Sequence, residues 1–325
     1  MNRTTPVDES RHDRFLVTGA LGCVGAWTVR ALVDEGTPVI AYDMSSDRHR
    51  LDLIMTPDEL EQVTFLKEDI TDLAALEHAL DQYQVTHVVH LAALQVPFCR
   101  ENPVRGAHVN VVGTTAVFEA AKRRRDRISG VAYASSVAIY GPEDEGAENP
   151  RPRPSTHYGV FKQANEGTAR IYWQDEGVPS IGLRPYTIYG PGRDQGVTSG
   201  PTHAMQAAAL GKAYHISFGG RSHFHYVPDV ARIFIAASRA LRAGAGIFNL
   251  PSKPESMSEM VEAIAAAAPE SRGRITYENA DLPFAVDLEA DGLEAAIGRV
   301  ELTSLATGVR ETVALFRRTK EGAGT

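Results

Sequence analysis

Tyr158 and Lys162 stand four residues apart in Ser155-Thr156-His157-Tyr158-Gly159-Val160-Phe161-Lys162. On a helix that spacing sets a phenol and an ammonium on one face. A phenol held near a fixed cation can take a proton from an alcohol. Free phenols ionise near pH ~10, and bringing one to about 7 asks roughly 4 kcal/mol of its surroundings. Two residues this common meet at this spacing in many helices, so the pair takes its meaning from what else the chain supplies.

A second set of residues points to an anion-binding turn. Thr18-Gly19-Ala20-Leu21-Gly22-Cys23-Val24-Gly25 follows an apolar run and leads into a helical segment expected over Ala26–Glu35. Glycines at 19, 22 and 25 permit a tight turn, close approach of backbone to a pyrophosphate, and close helix–strand packing. The helix N-terminus turns unpaired N–H groups toward the anion. Asp43 ends the next apolar run, where a carboxylate accepts from both ribose hydroxyls of an adenosine and repels a 2′-phosphate. The cofactor expected is therefore NAD, with Arg48 and Arg50 too late in the following loop to reverse that preference. Asp69 and Ile70 are placed to hold the adenine edge, with a helix-capping role for Asp69 as the alternative.

The elements that must position these groups alternate along the chain. Short apolar runs at Phe15–Gly19, Pro38–Asp43, Val63–Lys67, His87–Ala92, Gly130–Ser135 and Ser180–Pro185 are separated by helical segments. That order predicts an α/β fold, a doubly wound parallel sheet of the Rossmann type with helices on both faces. Near-continuous hydrophobicity, as in His87-Val88-Val89-His90-Leu91-Ala92, suits strands buried on both sides. After about Gly190 the alternation weakens, and a smaller, mostly helical lobe is expected for substrate over 191–325. The NAD-binding domain is expected over 15–190, with 225–250 packing back on it and Asp229 as N-cap of a helix there. Residues 1–14 are polar and charged and are read as a disordered leader, not a signal peptide.

Composition narrows the function classes. The net charge of −8 over 325 residues opposes a nucleic-acid footprint. No apolar run approaches the ~18 residues of a membrane span. The basic run Lys122-Arg123-Arg124-Arg125 closes a helix, where cations complement the dipole. Only two cysteines occur, Cys23 and Cys99, in no metal or redox spacing. His223 and His225 alternate without a carboxylate or cysteine beside them, so no metal is expected. A cytoplasmic protein acting on a small molecule fits best.

Taken in order, the Gly loop, the strand His90-Leu91-Ala92-Ala93, the Ser135-Ser136 strand end and Tyr158/Lys162 make the chain resemble the extended short-chain dehydrogenase/reductases, a family that includes nucleotide-sugar epimerases and dehydratases. The resemblance covers about Phe15 to Leu250. It implies that Tyr158 is the catalytic acid or base, that Lys162 binds the nicotinamide ribose and depresses the tyrosine, and that Ser136 hydrogen-bonds the reacting oxygen. Ser136 is chosen over Ser135 by counting back from Tyr140-Gly141. The cofactor set it implies is Gly19, Gly22, Cys23, Val24, Gly25, Asp43, Asp69, Ile70, Leu91, Ala92, Ala93, Tyr158, Lys162 and Tyr186. Asn110 matches a family asparagine that supports the site. A homodimer is implied, through a four-helix bundle built from Pro103–Lys122 and Thr156–Trp173.

Departures from the family pattern bear on the reaction. Family dehydratases carry an acidic pair after the serine or threonine, and this chain has Val137-Ala138. Sugar-nucleotide enzymes of the family anchor a diphosphate with an asparagine and an arginine, and here those positions hold Thr187 and Ser222, with Arg221 one residue away. The expectation is therefore an NAD-dependent oxidoreductase that oxidises a secondary alcohol of a sugar, sugar acid or hydroxy acid. The alternative is an epimerase of sugars or nucleotide sugars that retains its NAD. A catalytically silent NAD-binding regulator would be expected to break the Ser/Tyr/Lys set, which is intact. The substrate side is expected from Gln95, Ser136, Thr187, Thr198, Ser199, His203, Arg221 and Tyr226, although His203 also suits a helix surface.

Overall fold

The computed structural model describes residues 13–142, 152–290 and 292–322. The leader expected at 1–14 lies outside the described residues up to residue 12. Six of the expected runs form strands: β1 (Phe15–Thr18), β2 (Val39–Asp43), β3 (Thr64–Lys67), β4 (His87–His90), β5 (Val131–Ala134) and β6 (Ser180–Arg184). A seventh strand, Ala245–Asn249, pairs with the outer edge of β6 and completes an all-parallel sheet in the order Ala245–Asn249, β6, β5, β4, β1, β2, β3. It was not among the expected strands: Ala245-Gly246-Ile247-Phe248-Asn249 is only half-buried along its length, so its apolar signal is diluted.

Alternation along β1 shows how the layers are built. Phe15 and Val17 face a core shared with Val29 and Leu32 of the first helix, α1 (Cys23–Asp34), and with Ile233 and Phe234. Leu16 faces the opposite core with Val88, Phe118 and Tyr133. Each such side chain contributes roughly 1.5–3 kcal/mol when fully buried. The helix Val227–Ala240 packs on α1. A third core, around Met205, Ile216, Phe218, Met260, Ile264, Val309 and Val313, lies under the later helices Gly200–Ala209, Met257–Ala267 and Leu305–Gly322.

Two local expectations are corrected. α1 begins at Cys23, not Ala26, because Gly22 serves as its N-cap and Gly25 falls inside its first turn. Asp229 is not an N-cap: its helix starts at Val227 with Tyr226 as cap. The buried Asp229 carboxylate instead accepts from the Thr303 backbone N–H at 2.6 Å and its hydroxyl at 2.9 Å, and pairs with Arg232. It ties the C-terminal tail to the sheet domain.

Beneath the strand ends runs a buried polar chain. Thr18 Oγ1 accepts from the Leu91 and Ala92 N–H groups and lies 2.7 Å from His90 Nδ1. His90 Nε2 lies 3.0 Å from Thr114 Oγ1, which donates to the Asn110 carbonyl at 2.6 Å. With Thr114 already donating, Nε2 carries the ring proton and Nδ1 accepts from Thr18. Burial, with a smaller push from the Lys162 charge, lowers His90 to about 3; burial likewise lowers His225 to about 3.

Unfolded, these histidines titrate near ~6.5. Between those values the unfolded chain binds protons that the fold excludes, so stability is complete above about pH 6.5 and falls as pH drops toward 3. Scanning calorimetry at about pH 7.5 and about pH 5 is expected to show a lower Tm at the acid value. An unchanged Tm would mean that the fold accommodates both rings charged.

Candidate active site

The chemistry gathers at the C-terminal ends of β1, β4, β5 and β6. One cavity of about 870 Å³ runs along them. Gly19 takes φ +67° at the turn after β1, and a Cβ there would lie 2.7 Å from the Ala92 backbone nitrogen. A Cβ on Gly25 would lie 2.1 Å from the Gly19 carbonyl oxygen. Only glycine lets the turn, α1 and β4 approach this closely, and the result is a backbone cradle facing the cavity.

At the end of β2, Asp43 accepts from the Leu21 N–H at 3.0 Å and the Ser45 N–H at 2.9 Å, which fixes its carboxylate on the cavity wall. Arg48 stacks on the Phe65 ring at 3.6 Å. Arg50 donates to the Leu21 carbonyl at 2.9 Å and pairs with Asp194 at 2.6 Å. Both arginines thus already have partners within the protein, Arg48 the Phe65 ring and Arg50 the Leu21 carbonyl and Asp194. Asp69 lines the cavity, and its carboxylate takes the N–H and hydroxyl of Thr71. The helix that follows is capped by Asp72, not Asp69, through a bond from Ala75 N–H. Every residue expected at the cofactor lines this one cavity, and the glycine cradle, the Asp43 carboxylate and the engaged arginines fit NAD.

Ser136 follows β5 and Tyr158 lies on the helix His157–Glu176, which is capped by Thr156 and ended by Gly177 in the left-handed region. Gly159 is the close contact: a Cβ there would stand 2.1 Å from the Ala138 carbonyl oxygen, so its absence lets the helix settle onto the Ser136 turn. Ser136 Oγ accepts from the Ala138 N–H at 3.1 Å and lies close enough to the Tyr158 phenol to favour its ionised form. Ser135 instead donates to Glu166 at 2.5 Å, where Glu166 is forked to Arg184 at 2.7 Å. Lys162 is buried, donates to the Ala134 carbonyl at 2.6 Å, and sits 5.6 Å from the Tyr158 ring centre.

Burial pushes Tyr158 up to about 12, opposed by the Ser136 hydrogen bond and then by the Arg193 charge. Burial lowers Lys162 to about 8, opposed by Cys99 and Glu166. Without cofactor the phenol is therefore a weak acid, and a charge that favours its ionised form comes from Arg193, a residue the sequence did not single out. Asn110 holds the loop after β4 from both sides, accepting from Leu94 N–H at 2.7 Å and donating to Leu94 O at 2.9 Å. Its supporting place sits in a π-helical turn, His108–Val112.

Of the residues expected on the substrate side, Gln95, Ser136 and Thr198 line the cavity with Tyr158, and Thr187, Ser199, His203, Arg221 and Tyr226 do not. Thr187 is fully buried and bonded to Ser222 Oγ at 2.7 Å. Ser199 donates to the Gly196 carbonyl, and His203 Nε2 faces the Asp194 carbonyl. Arg221 is exposed and paired with Asp287 at 3.3 Å. Tyr226 donates to Glu311 and stacks near Tyr189 in the third core. These five were placed by chain position, and each is drawn elsewhere by a partner distant in sequence or by its own helix start. His223 contacts Ser252 Oγ and the Val286 carbonyl, both at 2.8 Å. The wall is completed by Arg193, Val197, Pro185, Tyr186 and Phe284, with Tyr186 donating to the Phe284 carbonyl at 3.0 Å. Phe284 lies in a stretch without regular structure, so no periodic signal marked it.

The loop that carries Arg193 is clasped to the nucleotide half. Asp194 takes both Arg50 and His49 Nε2 (2.7 Å), and Trp27 donates to the Pro191 carbonyl at 2.8 Å.

The sequence profile of the NAD dependent epimerase/dehydratase family matches residues 15–250. UDP-glucose 4-epimerase of Mycolicibacterium smegmatis is 29% identical over 320 residues, covering 94% of this chain and 98% of that protein. The solved structure of Thermus thermophilus UDP-glucose 4-epimerase in complex with NAD matches with a TM-score of 0.76 at 27% identity, over 94% of this chain and 99% of that one. L-threonine dehydrogenase from Clostridium difficile shares the fold, with a TM-score of 0.80 at 21% identity over 95% and 99% of the two chains.

Ultraviolet difference titration of wild type against Tyr158→Phe is expected to show no phenolate from Tyr158 below about pH 10 in the cofactor-free protein, since burial raises this group. Adding NAD, whose nicotinamide ring is cationic, is expected to shift the titration to lower pH. A phenolate already present at neutral pH without NAD would contradict the burial effect.

Proposed function

Because the chain belongs to the NAD-dependent epimerase/dehydratase family, we propose that it oxidises a secondary alcohol of a small polar substrate, a sugar, sugar acid or hydroxy acid, with no nucleotide handle. The observation that carries this reading is the buried Thr187–Ser222 hydroxyl pair. These two buried side chains bond each other away from the cavity lining and offer a diphosphate no charge, and charge-assisted bonds are the strong ones for such a group.

The residues divide the work simply. NAD, held along the glycine cradle and Asp43, would supply the hydride acceptor and a positive charge in the cavity. Ser136 and Tyr158 hydrogen-bond the substrate hydroxyl, and the phenolate oxygen takes its proton as the C–H hydrogen leaves as hydride and the carbon becomes a carbonyl. Lys162, held at the Ala134 carbonyl, supplies a fixed cation behind the phenol and a donor for the nicotinamide ribose. Val137, Ala138 and Phe284 add no further acid or base to the wall, so the set suits hydride and proton transfer without elimination of water.

A second reading is an NAD-retaining epimerase. The full-length match to a UDP-glucose 4-epimerase favours it, as does the clasp of His49 and Arg50 on Asp194 across the cofactor cleft.

Mixing the protein with NAD and a panel of alditols, aldoses, aldonates, hydroxy acids and UDP-sugars is expected to give stoichiometric NADH absorbance with at least one non-nucleotide alcohol. Tyr158→Phe is expected to lower that rate by ~10²–10⁴. NAD that stays bound through purification, with UDP-sugars interconverted and no net NADH, would overturn the proposal in favour of the epimerase.

The same reading includes a homodimer through the helices around 103–122 and 157–176. Val104, Val112, Val160 and Ile171 are exposed along them, an apolar set suited to a helical interface. Sedimentation equilibrium is expected at twice the chain mass, and Val160→Glu with Ile171→Glu is expected to give monomer.

A further inference from the structure

Arg193 lines the cavity beside Tyr158, and its charge is left unbalanced. Its Nη2 donates to Thr198 Oγ1 at 3.0 Å and its Nη1 reaches Gln95 Oε1 at 3.4 Å. Among the described residues its buried Nε finds no hydrogen-bond partner, and no carboxylate pairs with it; the adjacent Asp194 is already taken by Arg50 and His49. A hydroxyl and an amide oxygen do not neutralise a guanidinium, and a half-buried charge without a counter-ion, its Nε buried and unbonded, is costly.

The position is built, not incidental. Gly196 has φ +95°, and a Cβ on it would stand 2.1 Å from Gln95 Oε1. The loop backbone therefore closes directly on Gln95 and keeps Arg193, Gln95 and Thr198 together. Arg193 is also close enough to the Tyr158 phenol to favour its ionised form. An anion seated there would share the cavity with Tyr158. The rest of the wall on that side, Val137, Ala138, Pro185 and Phe284, is apolar.

We propose that Arg193, flanked by Gln95 and Thr198, binds the carboxylate of the substrate, so that the alcohol oxidised is that of a hydroxy acid. The inference rests on the oxidoreductase reading and narrows it. The acid group is a one-point anchor that changes neither charge nor bonding during the reaction: the C–H hydrogen passes to NAD as hydride, the hydroxyl proton passes to Tyr158, and the carboxylate stays on the guanidinium. Charge-assisted hydrogen bonds from a guanidinium to a carboxylate are among the strong ones and hold the acid group in place.

The competing anion is the NAD pyrophosphate, since the Arg193 charge is also felt at Cys23 in the Gly loop. The experiment separates the two. Four- to six-carbon aldonates and the alditols of the same length are assayed with wild type, Arg193→Gln and Arg193→Lys; NAD and aldonate binding are measured by calorimetry, and folding by circular dichroism. Wild type is expected to favour aldonates over alditols. Arg193→Gln is expected to raise KM for aldonates ~100-fold while KM for alditols and the Kd of NAD change only a few-fold, with any fall in kcat through Tyr158 shared by acids and alditols, and Arg193→Lys is expected to fall between. An equal rise in KM for acids and neutral alcohols, or a loss confined to NAD affinity, would overturn the carboxylate site while leaving the oxidoreductase reading intact. Failure of every aldonate both to bind the NAD complex and to yield NADH would also overturn it. Interconversion of UDP-sugars without net NADH would instead sink the reading on which it rests.

Discussion

The candidate active site depends on one steric permission. The helix His157–Glu176 meets the Ser136 turn where the Gly159 Cα faces the Ala138 carbonyl, at a separation no Cβ can share. From that contact the rest follows along the helix. Tyr158 comes into the cavity beside Ser136, and one turn later Lys162 reaches the Ala134 carbonyl at the end of β5. Ser136, Tyr158 and Lys162 are thus set by a single interface between a helix and a strand end. Rotating or lifting that helix disturbs all three together.

Behind the interface lies a buried ionic brace. Glu166, about two turns beyond Tyr158 on the same helix, forks to Arg184 of β6, which also donates to Tyr140 OH at 2.5 Å. Ser135 donates to the same carboxylate. Breaking one side of such a pair costs about 3–5 kcal/mol, although the intact pair adds little over apolar packing. Its contribution is positional: it joins the catalytic helix to two neighbouring strands at fixed distance, and it separates the two adjacent serines, one serving the brace and the other facing the cavity.

The sequence was most informative where function is written in backbone geometry and local order. The strand runs, the glycine cradle at 19, 22 and 25, Asp43 and the Tyr158/Lys162 spacing lie in the structure where their types and spacing suggested, because each depends on residues near in sequence. The substrate wall was poorly legible for the opposite reason. Thr187 is removed from the cavity by Ser222, thirty-five positions away, and Arg221 is drawn off by Asp287. Arg193 gains its meaning only from what fails to pair with it. The strand Ala245–Asn249 and the role of Asp229 were hidden in the same way, since one joins a sheet edge far from its neighbours and the other holds Thr303. Pairings between distant segments decide such positions, and composition and spacing do not carry them.

The loop around Arg193 is anchored to the nucleotide half through its own carbonyls and through Asp194: Trp27 donates to Pro191, and Arg50 donates to Gly192 and pairs with Asp194. One segment thus borders both compartments of the cleft. Order imposed on it from either side is shared with the other, and thermodynamic reciprocity requires the effect to be equal in both directions. By whatever factor a ligand on one side of this segment were to tighten the hold on a ligand at the other, the second would tighten the hold on the first, through a few hydrogen bonds to one stretch of backbone.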